Sequence, residues 1–122
     1  MDIEIKEGQI WTYKTRASEQ NSRLIIFKID RFENEVNAVH IGVDGLMVRS
    51  DNVAVGLLTY IEHLPISLKA LIASILSLDG EKEVVLNEGY FHWHNEFLAG
   101  KAGVWDIDVA EIIHIVEETQ NS

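Results

Sequence analysis

The chain has 122 residues, 47% of them hydrophobic, with one proline and no cysteine. That is one domain's worth of sequence with enough apolar surface for an unstapled core, and it excludes disulfides, thiolate metal sites and cysteine nucleophiles. Twenty Asp/Glu against ten Lys/Arg leave a formal net charge of -10, a sign that repels nucleic acid and anionic membrane and attracts basic protein surfaces.

In chain order, strands come first. Gln9–Thr15 is rich in aromatic and β-branched residues, with Trp11 and Tyr13 on one face and Ile10 and Thr12 on the other. Arg16–Ser22 is a polar stretch that reads as a mobile loop. Arg23–Arg31 contains the run Leu24-Ile25-Ile26-Phe27, the pattern of a central strand covered on both faces. Glu33-Asn34-Glu35 predicts a turn. Val36–Val43 is a strand with Val39, Ile41 and Val43 in phase, which puts His40 on the opposite face, towards an exposed side of the sheet. Asp44-Gly45 is the residue pair favoured in a type I′ hairpin, and predicts a return strand Leu46–Arg49. Ser50-Asp51-Asn52 reads as loop. Leu57–Leu64 is a further strand, ended by Pro65.

Helical spacing then takes over. Ser67 is an N-cap before Leu68, Leu71, Ile72, Ile75 and Leu76, predicting a helix that runs to Leu78 and stops at Asp79-Gly80. Its single charge, Lys69, makes it either deeply buried or an apolar strip through which two chains associate. A second helix is predicted from Asn87 or Glu88 to Ala99, with Tyr90, Trp93, His94 and Phe97 on one stripe and Gly100 as the residue past its end. Gly103–Ile107 predicts a short last strand. Asp108 and Glu111 form a capping box for a final helix with Val109, Ile112, Ile113 and Val116 inward, fraying by Thr119. The whole chain, 1–122, is expected to be a single acidic α+β domain. Its antiparallel sheet of about four or five strands packs with about three helices from the C-terminal half, and the N-terminal end has the makings of an SH3-like barrel.

Three stretches, Gly8–Arg16, Val39–Leu46 and Gly89–Val104, resemble a group of small uncharacterised bacterial proteins. The resemblance implies a compact stand-alone bacterial domain and supplies no activity. The acidic start, Met1-Asp2-Ile3-Glu4, lacks the apolar stretch of a signal peptide, and the longest apolar region, Leu64–Leu78, is interrupted and shorter than the ~20 residues of a membrane span. A cytoplasmic location is the expectation.

Charge is unevenly spread. Residues 1–49 carry seven Lys/Arg against eight Asp/Glu, and residues 50–122 carry three against twelve. On the second helix Glu88, His92 and Glu96 share a polar face at i, i+4 and i+8. This is a weak metal-ligand candidate that could supply two ligands while a third must come from elsewhere, so neither metal nor cofactor is expected, and the plainer use is a solvated face. His94 lies on the aromatic stripe, as a hydrogen-bonded core residue. Asp106 and Asp108 form a carboxylate pair suited to acid–base work, but Asp108 already caps a helix. Gly100-Lys-Ala-Gly103 follows a helix instead of preceding one, so it is no phosphate loop. Lys14, Arg16, Arg23, Lys28 and Arg31 among Trp11, Tyr13 and Phe27 have the look of a single-strand binding sheet, yet the net charge has the wrong sign, and they serve better to neutralise acids of the second half.

The leading functional expectation is a non-enzymatic acidic binding protein, an inhibitor or immunity protein that occludes a basic partner protein, with Glu88, His92, Glu96, Asp106, Glu111, Glu117 and Glu118 as contacts. The alternative is a metal-assisted or acid–base enzyme acting on a small molecule through Glu88, His92, Glu96 and Asp106.

Overall fold

The structure is a computed structural model that describes residues 4–32, 35–51 and 56–121. Seven strands and three helices follow in the order β1 (Gln9–Tyr13), β2 (Leu24–Phe32), β3 (Glu35–Val43), β4 (Val48–Arg49), β5 (Leu57–Leu58), β6 (Ile61–Ile66), α1 (Leu68–Ser74), β7 (Ile75–Glu81), α2 (Glu88–Leu98) and α3 (Val109–Gln120). Five of the strands form one antiparallel sheet in the order β6-β3-β2-β1-β7, and β4 pairs with β5 beside it. The architecture is α+β, as expected. Among the described residues the sheet stays open, with β6 and β7 as its edges, and does not close into a barrel.

Alternation along the strands creates two different interiors. Leu24 and Ile26 of β2, Val39 and Ile41 of β3, and Leu64 and Ile66 of β6 point to one face. There they join Leu71 of α1 and Val109, Ile112 and Ile113 of α3 in one apolar cluster. The opposite face carries Asp30, His40 and His63 in a row across β2, β3 and β6, and α2 closes it with Tyr90 and Trp93. His40 is therefore fully buried, not on an exposed side: the helix that covers it lies about fifty residues downstream, beyond the reach of strand periodicity.

Several local expectations yield to tertiary packing. Asp44-Gly45 does turn the chain, with Gly45 at φ +61°, but no hairpin follows. Both edges of β3 are occupied, by β2 and β6, so the segment after the turn leaves the sheet, buries Leu46 and Val48 in the core, and pairs with β5 instead. The Leu57–Leu64 strand divides in two, and β6 runs through Pro65, whose missing N–H is tolerated on an edge strand.

The long apolar helix also divides. Ser67 caps α1 as expected, its Oγ accepting from the Ala70 N–H, but the helix ends at Ser74. Ser74 Oγ donates back to the Ala70 carbonyl and accepts from the Val109 N–H, and the edge of β1 captures the next seven residues as β7. Gly103–Ile107 makes only a single bridge, Trp105 to Ile66, and is not a strand. Asp108 caps α3 as its sequence predicts, and Asn87, one of the two expected starts of the second helix, caps α2. Helix α3 holds to Gln120 rather than fraying at Thr119. Of the predicted turn at 33–35 and loop at 50–52, residues 33, 34 and 52 lie outside the described residues.

Arg16–Ser22 is anchored, contrary to the expectation of mobility. A 3₁₀ turn at Ala17–Glu19 buries the Glu19 carboxylate, which accepts from Arg16 Nε at 2.7 Å, Arg16 Nη2 at 2.9 Å and the Met47 N–H at 2.7 Å. Ser22 is also buried: Tyr13 donates its hydroxyl to Ser22 Oγ, which donates to the Asp44 carbonyl. Burial pushes the Tyr13 hydroxyl up to about 12.

Candidate functional site

The chemistry-bearing side chains that come together lie between β6 and α2. Asp30 Oδ2 is 2.8 Å from His40 Nε2, and His40 Nδ1 is 2.8 Å from His63 Nε2. Tyr90 donates its hydroxyl to the same carboxylate, at 3.2 Å from Oδ1. An ionised carboxylate only accepts, so His40 carries its proton on Nε2 and presents a bare Nδ1. His63 must then donate from Nε2, which leaves its Nδ1 as the unprotonated nitrogen, without a hydrogen-bond partner among the described residues. The row is a directed chain from Asp30 to the far side of His63.

Packing sets the protonation of this chain. Burial lowers the basicity of His40, and the hydrogen bond and charge of Asp30 oppose the shift. Burial and, secondarily, the neighbouring His40 pull His63 down to about 4, so both rings are neutral near pH 7. Burial and Asp30 raise the Tyr90 hydroxyl. The stacked His40 and His63 rings, with centroids 5.0 Å apart, sit beneath Tyr90 and Trp93 in edge contact. Gly89 makes the fit possible: a Cβ there would lie 2.8 Å from His63 Cβ.

His63 borders a cleft of about 650 Å³ between β6 and α2, with Tyr60, Glu62, His92, Glu96 and Lys101 on its walls. Asp30, at the other end of the chain, borders a second and more apolar cavity of about 640 Å³ with Trp93, Phe97 and Val104. Helix α2 turns a separate stripe to solvent, Glu88, Phe91, His92, Asn95 and Leu98, at helical spacing. Phe91 is 51% and Leu98 71% exposed. Tyr60 stands across the cleft, 54% exposed. Glu62, Glu88 and Glu96 form no ion pair with any described residue.

The seven contacts expected from sequence divide between two faces. Glu88, His92 and Glu96 belong to α2, while Glu111, Glu117 and Glu118 belong to α3 across the sheet. Glu117 is occupied: its Oε1 accepts from Arg16 Nη1 at 3.2 Å and its Oε2 from the Arg49 N–H at 2.7 Å. The Arg49 amide first, and Arg16 with it, hold the Glu117 carboxyl below its usual range. Glu118 pairs with His114 at 3.0 Å, and Asp106 accepts from Ser67 Oγ at 2.6 Å. His92 makes no ion pair with Glu88 or Glu96, and no three His, Asp or Glu among the described residues converge as metal ligands. His94 is half-buried and stacks on Tyr90. Arg16 and Arg23 do neutralise acids of the second half, Glu117 and Asp79, as expected of the basic patch.

Sequence reasoning missed the Asp30–His40–His63 row. His40 and His63 are twenty-three residues apart on different strands, and only the β3–β6 register aligns them. Comparison with known proteins finds no matching family model, no similar curated protein and no similar solved structure. No helix among the described residues is long and apolar enough to cross a membrane.

Proposed function

We propose that this domain is an acidic binding protein that docks a basic partner protein on the α2–β6 face, in the manner of an inhibitor. The observation that carries the reading is the outward stripe of α2. Phe91 and Leu98 stand exposed on the same stripe as Glu88, while Glu96 of the same helix lines the neighbouring cleft with Tyr60 and Glu62. Exposed aromatic and aliphatic anchors ringed by unpaired carboxylates suit a partner whose contact surface is cationic with apolar gaps. The acids speed encounter and set register, and the apolar anchors supply the contact that resists dissociation.

The test is paired charge reversal. Glu88→Lys/Glu96→Lys should weaken capture of a basic binding protein from the native host at least tenfold, and Glu111→Lys/Glu118→Lys should leave it nearly unchanged. Equal losses from both pairs, or none from the first, would remove the α2 face from consideration.

A second reading has one specific observation behind it, the Asp30–His40–His63 chain ending in a cleft. An imidazole oriented by a second imidazole and a carboxylate is equipped to accept a proton from a small substrate. Hydrolysis of an activated phenyl ester is a suitable probe: His63→Gln should lower the rate about 100-fold if the ring acts as general base. A wild-type rate no faster than free imidazole would dispose of this reading.

A further inference from the structure

The apolar cavity of about 640 Å³ at the Asp30 end of the row has walls fixed from several sides. Trp93 and Phe97 stack nearly parallel, with ring centroids 5.1 Å apart, and make one wall. Trp93 donates its indole N–H to the Gly103 carbonyl at 2.9 Å, which ties the wall of Gly103 and Val104 to α2. The next residue, Trp105, donates its N–H to the Pro65 carbonyl at 2.9 Å and ties the same segment to β6. Asp30 of β2 and Ala38 of β3, paired across the sheet, complete the enclosure. Phe97 is 48% and Val104 37% exposed, so apolar surface stands open to water here.

Asp30 is the one acid among the described residues of this cavity. Its carboxylate accepts from His40 Nε2 at 2.8 Å and from the Tyr90 hydroxyl at 3.2 Å, both neutral donors near pH 7. A carboxylate offers about four acceptor sites, so capacity is left over. No Lys or Arg among the described residues pairs with it, and its side chain is 24% exposed. A largely desolvated anion bordering a preformed apolar cavity favours a cationic hydrogen-bond donor.

We infer that this cavity binds a small aromatic monoamine, its ammonium bonded to Asp30 and its ring against Phe97 and Val104. The Phe97 ring adds attraction for the cationic end. Arg31 borders the same cavity, exposed and without an ion pair to any described residue, and it repels a second positive charge. A monoamine therefore fits better than a diamine. The site uses neither the outward stripe of α2 nor His63 as a base, so it stands or falls apart from both functional readings. Asp30 also anchors the His40–His63 row, so the His40 imidazole reports whether the cavity is occupied.

Tryptamine, tryptophol and indoleacetate present one ring system with a cationic, a neutral and an anionic head. Calorimetric titration of the whole chain near neutral pH should give a Kd for tryptamine below about 1 mM, and at least about fivefold weaker binding of the other two. By NMR, tryptamine should shift the His40 imidazole nitrogens and the Gly103 and Val104 amides, and leave the Tyr60 and Glu62 amides in place. Asp30→Asn should abolish the preference for the amine. Two variants outside the hydrogen-bonded row guard against a folding defect in Asp30→Asn. Phe97→Ala should weaken tryptamine about tenfold with an unchanged circular dichroism spectrum, and Arg31→Gln should tighten it about threefold. A Kd above about 1 mM, a smaller preference over tryptophol or indoleacetate, or shifts centred on the β6–α2 cleft would overturn the inference.

Discussion

Protonation of His63 should govern stability in mildly acidic solution. In the unfolded chain a histidine titrates near 6.5, whereas burial and His40 hold the folded His63 at about 4. Between these values the unfolded state binds a proton that the folded state refuses. Stability is therefore fully present above about pH 7 and falls as pH drops through 6.5 towards 4. For a single site the linkage relation gives about 1.8 kcal/mol lost between pH 7 and pH 5. The ring is partly wetted at the cleft, which brings the expectation to about 1 kcal/mol. Buried His40 shifts in the same direction and is coupled to His63, so wild type should lose somewhat more than this one-site figure. Urea unfolding at about pH 7 and about pH 5 measures the loss, in a window above the titration of most carboxylates. His63→Gln keeps a donor towards His40 Nδ1 but does not titrate, so it should remove about half of the pH dependence. An unchanged pH dependence in His63→Gln would refute the assignment of this titration to the buried row.

Other perturbations have definite signs. Glu19→Ala strips the acceptor from the Met47 N–H and the main one from Arg16, which keeps Glu117 at 3.2 Å, so it should cost about 1–3 kcal/mol by chemical denaturation. Gly89→Ala places a Cβ 2.8 Å from His63 Cβ; the crowding, about 1–3 kcal/mol, should outweigh the roughly 1 kcal/mol helix-propensity gain. It should also abolish the His40–His63 hydrogen bond, which imidazole nitrogen shifts report by NMR. Leu71→Ala, at a fully buried position of α1, should cost about 2–5 kcal/mol, whereas Leu98→Ala at 71% exposure should change the unfolding free energy by less than about 0.5 kcal/mol.

Much of the local structure was legible because it depends on neighbours in the chain. Ser67, Asn87 and Asp108 bond to the N–H three residues ahead, a reach contained within one turn of helix. The in-phase Val39, Ile41 and Val43 needed only the two-residue period of a strand to mark a core face. The Arg16–Glu19 pair has the i, i+3 spacing of a local contact, yet its burial depends on Met47, twenty-eight residues from Glu19.

The composition and order of residues determined an α+β domain with a strand-rich front, two well-capped helices near the end, and a strongly negative surface. Only the tertiary structure decided which strands became neighbours, and that choice settled the rest. Because β3 already had partners on both sides, Asp44-Gly45 could not start a hairpin. Because β1 had a free edge, Ile75–Glu81 extended into a strand instead of continuing a helix. Because α2 folded over β3 and β6, an imidazole that alternation alone would leave in water became the buried centre of a hydrogen-bonded row. Each outcome turns on backbone or side-chain groups far apart in the chain competing for the same partners, and no local period records that competition.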